Sequence, residues 1–298
     1  MSLFTKFSNL FAKSESPNTL GLAFRKDALS CFSQTIQGTS ETSQFPIEHE
    51  NYLAAVKSFS DKSEHRANVH VVLSASQYQI VQVDKPNMPD DEINAALKWQ
   101  IKDLVTIEPD NMVVDYFSGP LLAGGAEKIN VVCAKKQDLI SIISALAEDD
   151  LTVKSITTEE FAFAGLISNQ EQATLLLCQQ PNEEVIILIV KDGHIYFHRR
   201  LRGFAQLGSK SHEELEFGSI DSLSLEIQRS MDYFERQLKQ PPIKDIQLIL
   251  PIKSEDYIAT KLAENTTASV NVLSLDDISN KAYAAAYGVV LTSGEVTS

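Results

Sequence analysis

Apolar and polar positions along this chain follow two rhythms, one of period two and one near 3.6. Thr19 to Ala23 and Ala28 to Thr35 read as two strands joined by a charged turn, Arg25-Lys26-Asp27. Gln37 to Gln44 reads as a polar loop around Gly38. Tyr52 to Phe59 predicts a short helix with Leu53, Val56 and Phe59 on one side. The valine-rich run His70 to Ser74 predicts a buried strand.

From Tyr78 the pattern is denser. Tyr78, Ile80, Val81 and Val83 make a strand ending at Lys85-Pro86. The stretch Asn87-Met88-Pro89-Asp90-Asp91-Glu92 opens a helix, because proline and acidic residues suit a first turn with free N–H groups and a positive dipole end. Ile93, Leu97, Ile101 and Leu104 form its apolar stripe. Strands follow near Met112 to Ser118 and Ile129 to Ala134, linked by a loop carrying Gly124-Gly125. A helix from about Lys136 to Glu148 turns Leu139, Ile142, Ile143 and Leu146 inward, and Val153 to Ile156 reads as a closing strand. Strand, helix, strand, strand, helix, strand is the order of a ferredoxin-like module.

A second α/β half begins after an apolar helix, Phe161 to Ile167, and a polar break at Ser168 to Gln172. Thr174 to Cys178 and Val185 to Val190 read as strands. Lys191-Asp192-Gly193 is a tight turn into a third, His194 to Arg199. Asp221 to Leu238 is a long amphipathic helix whose stripe is Leu223, Ile227, Met231, Phe234 and Leu238, stopped by Pro241-Pro242. A strand at Ile246 to Leu250, a helix at Asp256 to Ala263 and a strand at Val270 to Leu273 follow. The last helix, Asn280 to Leu291, is rich in alanine and suited to close packing on a sheet. The pattern alone supports a two-domain α/β protein, each half opening with a strand hairpin.

The 298 residues suffice for two cores. A net charge of -14 opposes non-specific binding to nucleic acid or anionic lipid. Cys31, Cys133 and Cys178 lie far apart in apolar segments and read as small buried hydrophobes in a reducing compartment. His49, His65, His70, His194, His198 and His212 show no metal-ligand spacing; His194 and His198 share a strand face but stand more than one rung apart. Asp90-Asp91-Glu92 and Asp149-Asp150 read as a helix start and a surface turn. No nucleophile motif is present. The longest apolar run, Val185 to Val190, is too short to span a bilayer. Phe4, Phe7, Leu10 and Phe11 stand near helical spacing in a segment that reads either as a docking or membrane-surface helix or as a frayed end.

Three stretches carry a resemblance over nearly the whole chain: Val81 to Val105 with M-P-D-D-E and A-L-K-W-Q-I; Asp115-Tyr116-Phe117 with I-N-V-V-C-A-K at Ile129 to Lys135; and E-I-Q-R-S-M-D-Y-F-E-R-Q-L from Glu226 to Leu238. In order and spacing the sequence resembles the PilM family of type IV pilus assembly proteins, including its MSHA-pilus branch, and the related type II secretion protein GspL. The resemblance implies an actin-like, duplicated ribonuclease-H-like α/β fold with an inserted 1C module like that of FtsA. Domain I is then 1–168, with the module at about 80–157 and the 280–298 helix packing back on it; domain II is 169–279. It further implies a location at the cytoplasmic face of the inner membrane and a partner: the N-terminal tail of PilN, or of its MshJ-like counterpart, held between the core half and the inserted module.

Actin-like ATPases hold phosphate on D-x-G hairpin turns, where backbone N–H groups cradle the anion and the acid organises magnesium. Family members with this chemistry begin L-G-I-D-I-G. Here the residues are Leu20-Gly21-Leu22-Ala23-Phe24-Arg25, so Ala23 replaces the acid and Arg25 the glycine. The second hairpin, from Leu175 through Cys178 to Pro181, has neither acid nor glycine. The glycine pair expected near the adenosine is replaced by Leu248-Ile249-Leu250-Pro251. Side chains at such turns block backbone approach. The expectation is therefore no catalysis, no nucleotide or other cofactor and no metal. Arg25 and Lys26 read as an exposed charged turn, the alternative being an anion site.

The partner-site candidates are Trp99, Gln100, Tyr78 and Tyr116. Trp99 falls off the apolar stripe, which makes it either a binding anchor or a residue packed on the core half. Gln100 lies near the stripe, so its amide requires a partner. The cluster His198-Arg199-Arg200-Leu201-Arg202 reads as a solvated strand edge or a contact for an acidic group. Three functions compete: a binding scaffold, a nucleotide-gated ATPase with altered turns, and a GspL-like secretion adaptor.

Overall fold

A computed structural model describes residues 18–35, 38–62, 66–119, 127–167 and 171–294. The N-terminal aromatic segment, His65 and the Gly124-Gly125 loop lie outside the described residues. The chain divides into two units, Met1–Ala162 with Ala285–Ser298, and Phe163–Ala284. These divisions fall six residues before, and five after, the boundaries expected from the polar break at 168 and the last helix at 280.

The first unit is built on a five-stranded sheet of order β3-β2-β1-β4-β8. Its strands are β1 (Asn18–Phe24), β2 (Ala28–Gln34), β3 (Ser40–Pro46), β4 (Ala67–Val72) and β8 (Leu151–Thr157). β1, β2 and β3 form an antiparallel meander, whereas β4 and β8 run parallel to β1 and to each other. The segment read as a polar loop is thus mostly strand β3. It sits at the sheet edge with its side chains largely exposed, so no apolar alternation marks it. Helix α1 (Tyr52–Ser60) starts at Asn51, whose side chain accepts the Ala54 amide at 3.2 Å, and packs beside α3 (Lys136–Ala147).

A three-stranded antiparallel sheet of order β5-β7-β6 is inserted after β4, with β5 (Tyr78–Asp84), β6 (Met112–Ser118) and β7 (Lys128–Lys135). Helix α2 (Asp90–Gln100) begins after Pro89 and covers one face of it. The ferredoxin-like closure does not form: β8 leaves this sheet and pairs with β4 in register Val69↔Val153. Alternation fixes which face of a strand is buried but not which sheet receives it. The stripe Ile93, Leu97 and Ile101 is fully buried, but the helix ends at Gln100 and Leu104 is 58% exposed, a correction to its place in the stripe.

The second unit repeats the first plan. Its sheet, β11-β10-β9-β12-β13, has the same polarity as the first sheet, with an antiparallel meander and then two parallel strands. The strands are β9 (Thr174–Cys178), β10 (Val185–Lys191), β11 (His194–Leu201), β12 (Asp245–Ile249) and β13 (Ser269–Val272). Asp192 and Gly193, with φ of 50° and 71°, make the tight turn expected between β10 and β11. Short α4 (Glu159–Ala164) precedes β9. α5 (His212–Glu214), α6 (Ile220–Asp232) and α7 (Glu255–Ala263) follow β11, and α6 continues as a π-helical turn through Gln237. The Leu223, Ile227, Met231, Phe234 and Leu238 stripe is buried throughout. Each such side chain contributes about 1.5–3 kcal/mol of hydrophobic stabilisation. The final helix, α8 (Ala284–Ser293), returns to the first unit, where the Tyr287 ring meets Phe32 edge-on at 5.0 Å.

Candidate functional site

Three strand-end turns, one in the first unit and two in the second, carry the sequence departures at positions 23–25, 178–181 and 250. In the first, the Arg25 amide donates to the Ala28 carbonyl at 3.0 Å and closes the β1–β2 hairpin. Arg25 is not the exposed residue that a charged turn suggests. It is only 4% accessible, its Nε donates to Asp27 Oδ1 at 2.6 Å, and its Nη1 is buried with no hydrogen-bond partner among the described residues. A long cation therefore fills the position where a glycine admits an anion to the backbone. Ala23, fully buried, supplies no carboxylate for a metal.

At the second turn the polar groups are used internally. The Gln179 amide donates to the Ile249 carbonyl at 3.1 Å. Its side-chain Nε2 donates to the carbonyls of Glu183 at 2.6 Å and Phe204 at 3.0 Å. Cys178 is buried, and Pro181 has no amide to offer. At the third, beyond β12, the Leu250 amide donates to Glu255 Oε1 at 2.6 Å, while Glu255 Oε2 pairs with Lys281 Nζ at 2.7 Å. Burial raises the Glu255 carboxyl above its ordinary range, opposed by the Leu250 amide and the Lys281 ammonium. These turns do not fit a magnesium-triphosphate: the Arg25, Gln179 and Leu250 amides are each bonded within the chain, and Ala23 stands where the first turn would need an acid. Among the described residues no group of three His, Cys, Asp or Glu side chains is arranged to hold a metal.

The inserted sheet separates the four partner-site candidates. Tyr116 pairs with Val131 and lies half-buried on the face beneath α2, against the cluster of Val83, Ile93, Leu97, Ile101, Met112 and Ile129. Tyr78 pairs with Ala134 on the opposite face. It is buried, and its hydroxyl donates to Glu160 Oε2 at 2.8 Å. On that face Phe117 also meets Phe161 edge-on at 4.9 Å, so the module leans on the start of α4 through both rings. Gln100 Nε2 donates to the Asp84 carbonyl at 3.0 Å, which satisfies the amide from within the chain and ties the end of α2 to the end of β5. Trp99 is 63% exposed, so packing on the core half is excluded. Trp99 and Gln100 are thus surface neighbours, while Tyr78 and Tyr116 lie on opposite faces of the inserted sheet.

Among the described residues β5 pairs with β7 on one side and with no strand on the other. The ends of that edge are occupied: Gln79 bonds Thr106 through both amide atoms, at 2.5 and 3.1 Å, and Gln100 takes the Asp84 carbonyl. Between them lie Ile80, Val81 and Gln82, partly to fully exposed, with Gln82 Nε2 donating to Asn130 Oδ1 at 3.3 Å. Glu160, Phe161, Asn130 and the Glu255–Lys281 pair were not legible in the sequence. The one available signal was the acidic pair Glu159-Glu160 directly after a strand, in an otherwise apolar context.

Two five-stranded sheets of identical order and polarity, one carrying an inserted small sheet, define an actin-like fold. No family model matches the chain, and no curated protein does. Solved structures place the fold more narrowly. The chain is similar to a structure described as a PilM-PilN type IV pilus biogenesis complex, with TM-score 0.67 and 15% identity over 94% of this chain and 99% of that one. It is also similar to the cytoplasmic domain of EpsL, an inner-membrane component of the type II secretion system of Vibrio cholerae (TM-score 0.52, 13% identity, 83% of this chain and 94% of that one). A Bacteroides thetaiotaomicron protein of actin-like ATPase fold and unknown function gives TM-score 0.54 and 12% identity over 93% and 96% of the two chains. At these identities the shared property is the fold. Among the described residues no helix is long and apolar enough to cross a membrane.

Proposed function

We propose that this chain is a non-catalytic scaffold of a type IV pilus assembly machine, of the MSHA branch represented by MshI. In this reading it works at the cytoplasmic face of the inner membrane and holds the N-terminal tail of a PilN-like or MshJ-like inner-membrane protein. The observation that carries the reading is the buried Arg25 guanidinium standing where a phosphate-cradling glycine belongs. The internally closed second and third turns support it. A fold that retains its architecture and fills its nucleotide turns keeps recognition as its remaining work. The edge of β5 that pairs with no strand among the described residues would receive an extended peptide by strand addition, with Trp99 and Gln100 on the helix that flanks its far end.

Calorimetric titration of the full chain with the partner's cytoplasmic tail peptide tests this. Saturable one-to-one binding is expected, with weaker binding for Trp99→Ala if Trp99 touches the peptide. Absence of binding by the unaltered protein refutes the scaffold reading. A parallel titration with Mg-ATP is expected to be silent; saturable micromolar binding, or turnover, would return the protein to the ATPases.

A further inference from the structure

In the second unit, the turn between α5 and α6 displays Phe217 at 95% exposure, the highest among the exposed large hydrophobic side chains described. The display is built. Phe217 has φ -77° and ψ 58°, and Gly218 follows with φ 102°, a left-handed conformation that turns the chain sharply at the phenylalanine. A Cβ at Gly218 would meet nothing within 4 Å, so backbone conformation and not crowding selects glycine there.

Each flank of the turn is pinned. Ser211 and Glu214 form a reciprocal capping box at the start of α5, at 3.2 and 2.8 Å. Glu216 accepts from the Tyr257 hydroxyl at 2.6 Å and pairs with Lys261 at 3.3 Å. The Tyr257 ring stacks on His212 at 3.9 Å, and Lys210 Nζ donates to the Ser219 hydroxyl at 2.7 Å. Leu215 and Ser219 on either side are buried. A side chain exposed on a mobile loop costs little and signals little. An aromatic ring held outward by a pinned turn is pre-organised as an anchor.

The charges around the ring select what it meets. Within four residues of Phe217 the exposed charged side chains are all acidic, Glu213, Glu214, Glu216 and Asp221, and the nearby Lys261 is shared between Glu216 and Glu264. The rim is acidic in a chain whose net charge is already -14. We propose that the Phe217 turn is a docking knob for a cationic protein segment that offers an apolar pocket rimmed by lysine or arginine. This is a second interaction site, in the unit that does not carry the inserted module. Charge complementarity argues against an anionic bilayer and against a like-charged second copy as the occupant.

Two matched model peptides serve as probes: an amphipathic lysine–leucine helix and its glutamate–leucine counterpart. They are titrated against the full chain, Phe217→Ala, Phe217→Trp and the double variant Glu213→Lys, Asp221→Lys. Saturable binding of the lysine–leucine peptide alone is expected, weakened at least tenfold by Phe217→Ala and by the double variant. It should persist in Phe217→Trp, with a blue shift of the new indole emission on binding. Thermal melts confirm that the exposed-site variants stay folded. Equal binding by Phe217→Ala, no binding by the unaltered chain, or equal binding of the glutamate–leucine peptide overturns the proposal. So does self-association by sedimentation, or binding to phosphatidylglycerol vesicles, that Phe217→Ala abolishes, since either gives the knob a different occupant.

Discussion

Replacing Gly21 by alanine tests the closest packing in the first unit. Gly21 lies in β1 between β2 and β4, and a Cβ built there would stand 1.8 Å from the Ala286 carbonyl oxygen, 2.8 Å from its carbon and 2.9 Å from Val290 Cγ2. A strand paired on both sides cannot retreat, so α8 must lift by roughly 1.5 Å to restore an ordinary contact. That helix buries Ala284, Ala285, Ala286, Tyr287, Val289 and Val290, and all of these lose contact together. Overpacking costs about 1–3 kcal/mol, and a clash with backbone belongs at the upper end. The lower entropy of an alanine-containing unfolded chain offsets about 0.4–1 kcal/mol. The expected net loss is about 2 kcal/mol, or a fall in Tm of roughly 4–8 °C for a unit of this size. Differential scanning calorimetry reads this directly. Adding Val290→Ala should not rescue Gly21→Ala, because the nearest obstacle is a carbonyl group. A Tm shift below about 1 °C, or full rescue by Val290→Ala, would refute the claim that α8 is seated on the bare backbone of β1.

Three further outcomes follow from the same structure. Burial pushes the Cys31 thiol to about 12 and the Cys133 thiol to about 11, and Cys178 is also buried. Ellman's reagent at pH 8 should therefore find almost no reactive thiol in the folded protein and three in denaturant, and a fast-reacting thiol in the native state would contradict the packing. Glu255 has a raised carboxyl, so its stabilising contribution is fully present below its unfolded value and declines as pH rises through the folded one. Glu255→Gln should flatten that decline in urea melts as pH is raised from the ordinary carboxylate range, and an unchanged slope would locate the effect elsewhere. Tyr78→Phe removes the hydroxyl that donates to the buried Glu160, a loss expected to cost about 1–3 kcal/mol by chemical denaturation, whereas a neutral change would mean Glu160 does not depend on it.

Where burial writes itself into residue type, the fold was readable. β9 is legible to the residue because all five of its positions are buried and four of them are apolar, and the α6 stripe because helical period and burial agree at every step. β3 reads as a loop because an edge strand whose exposed residues include Glu41, Thr42, Ser43 and Gln44 carries a loop's composition. The destination of β8 was missed because its residues would suit either sheet; partner choice depends on the α3 crossover and not on local pattern. At the site, the losses of acid and glycine at positions 23 and 25 were plain. That Arg25 is buried was not, since charge in a turn ordinarily marks solvent. Trp99 and Tyr116 illustrate the same limit: grouped as candidates in the sequence, one is exposed on α2 and the other packs against the cluster beneath that helix.

The pairing of β8 with β4 gives the inserted sheet an unusual standing. β4, α3 and β8 already make a complete parallel crossover, and β5, α2, β6 and β7 are spliced into its first loop. The splice is held at its seam by Leu73, whose amide donates to the Thr157 carbonyl at 2.9 Å. A chain in which Leu73 runs through a short linker to Lys136 would retain every strand of the five-stranded sheet. The inserted sheet is thus a detachable cassette on its five-stranded frame, free to be exchanged or reshaped while the strand pairing of the frame beneath it is kept.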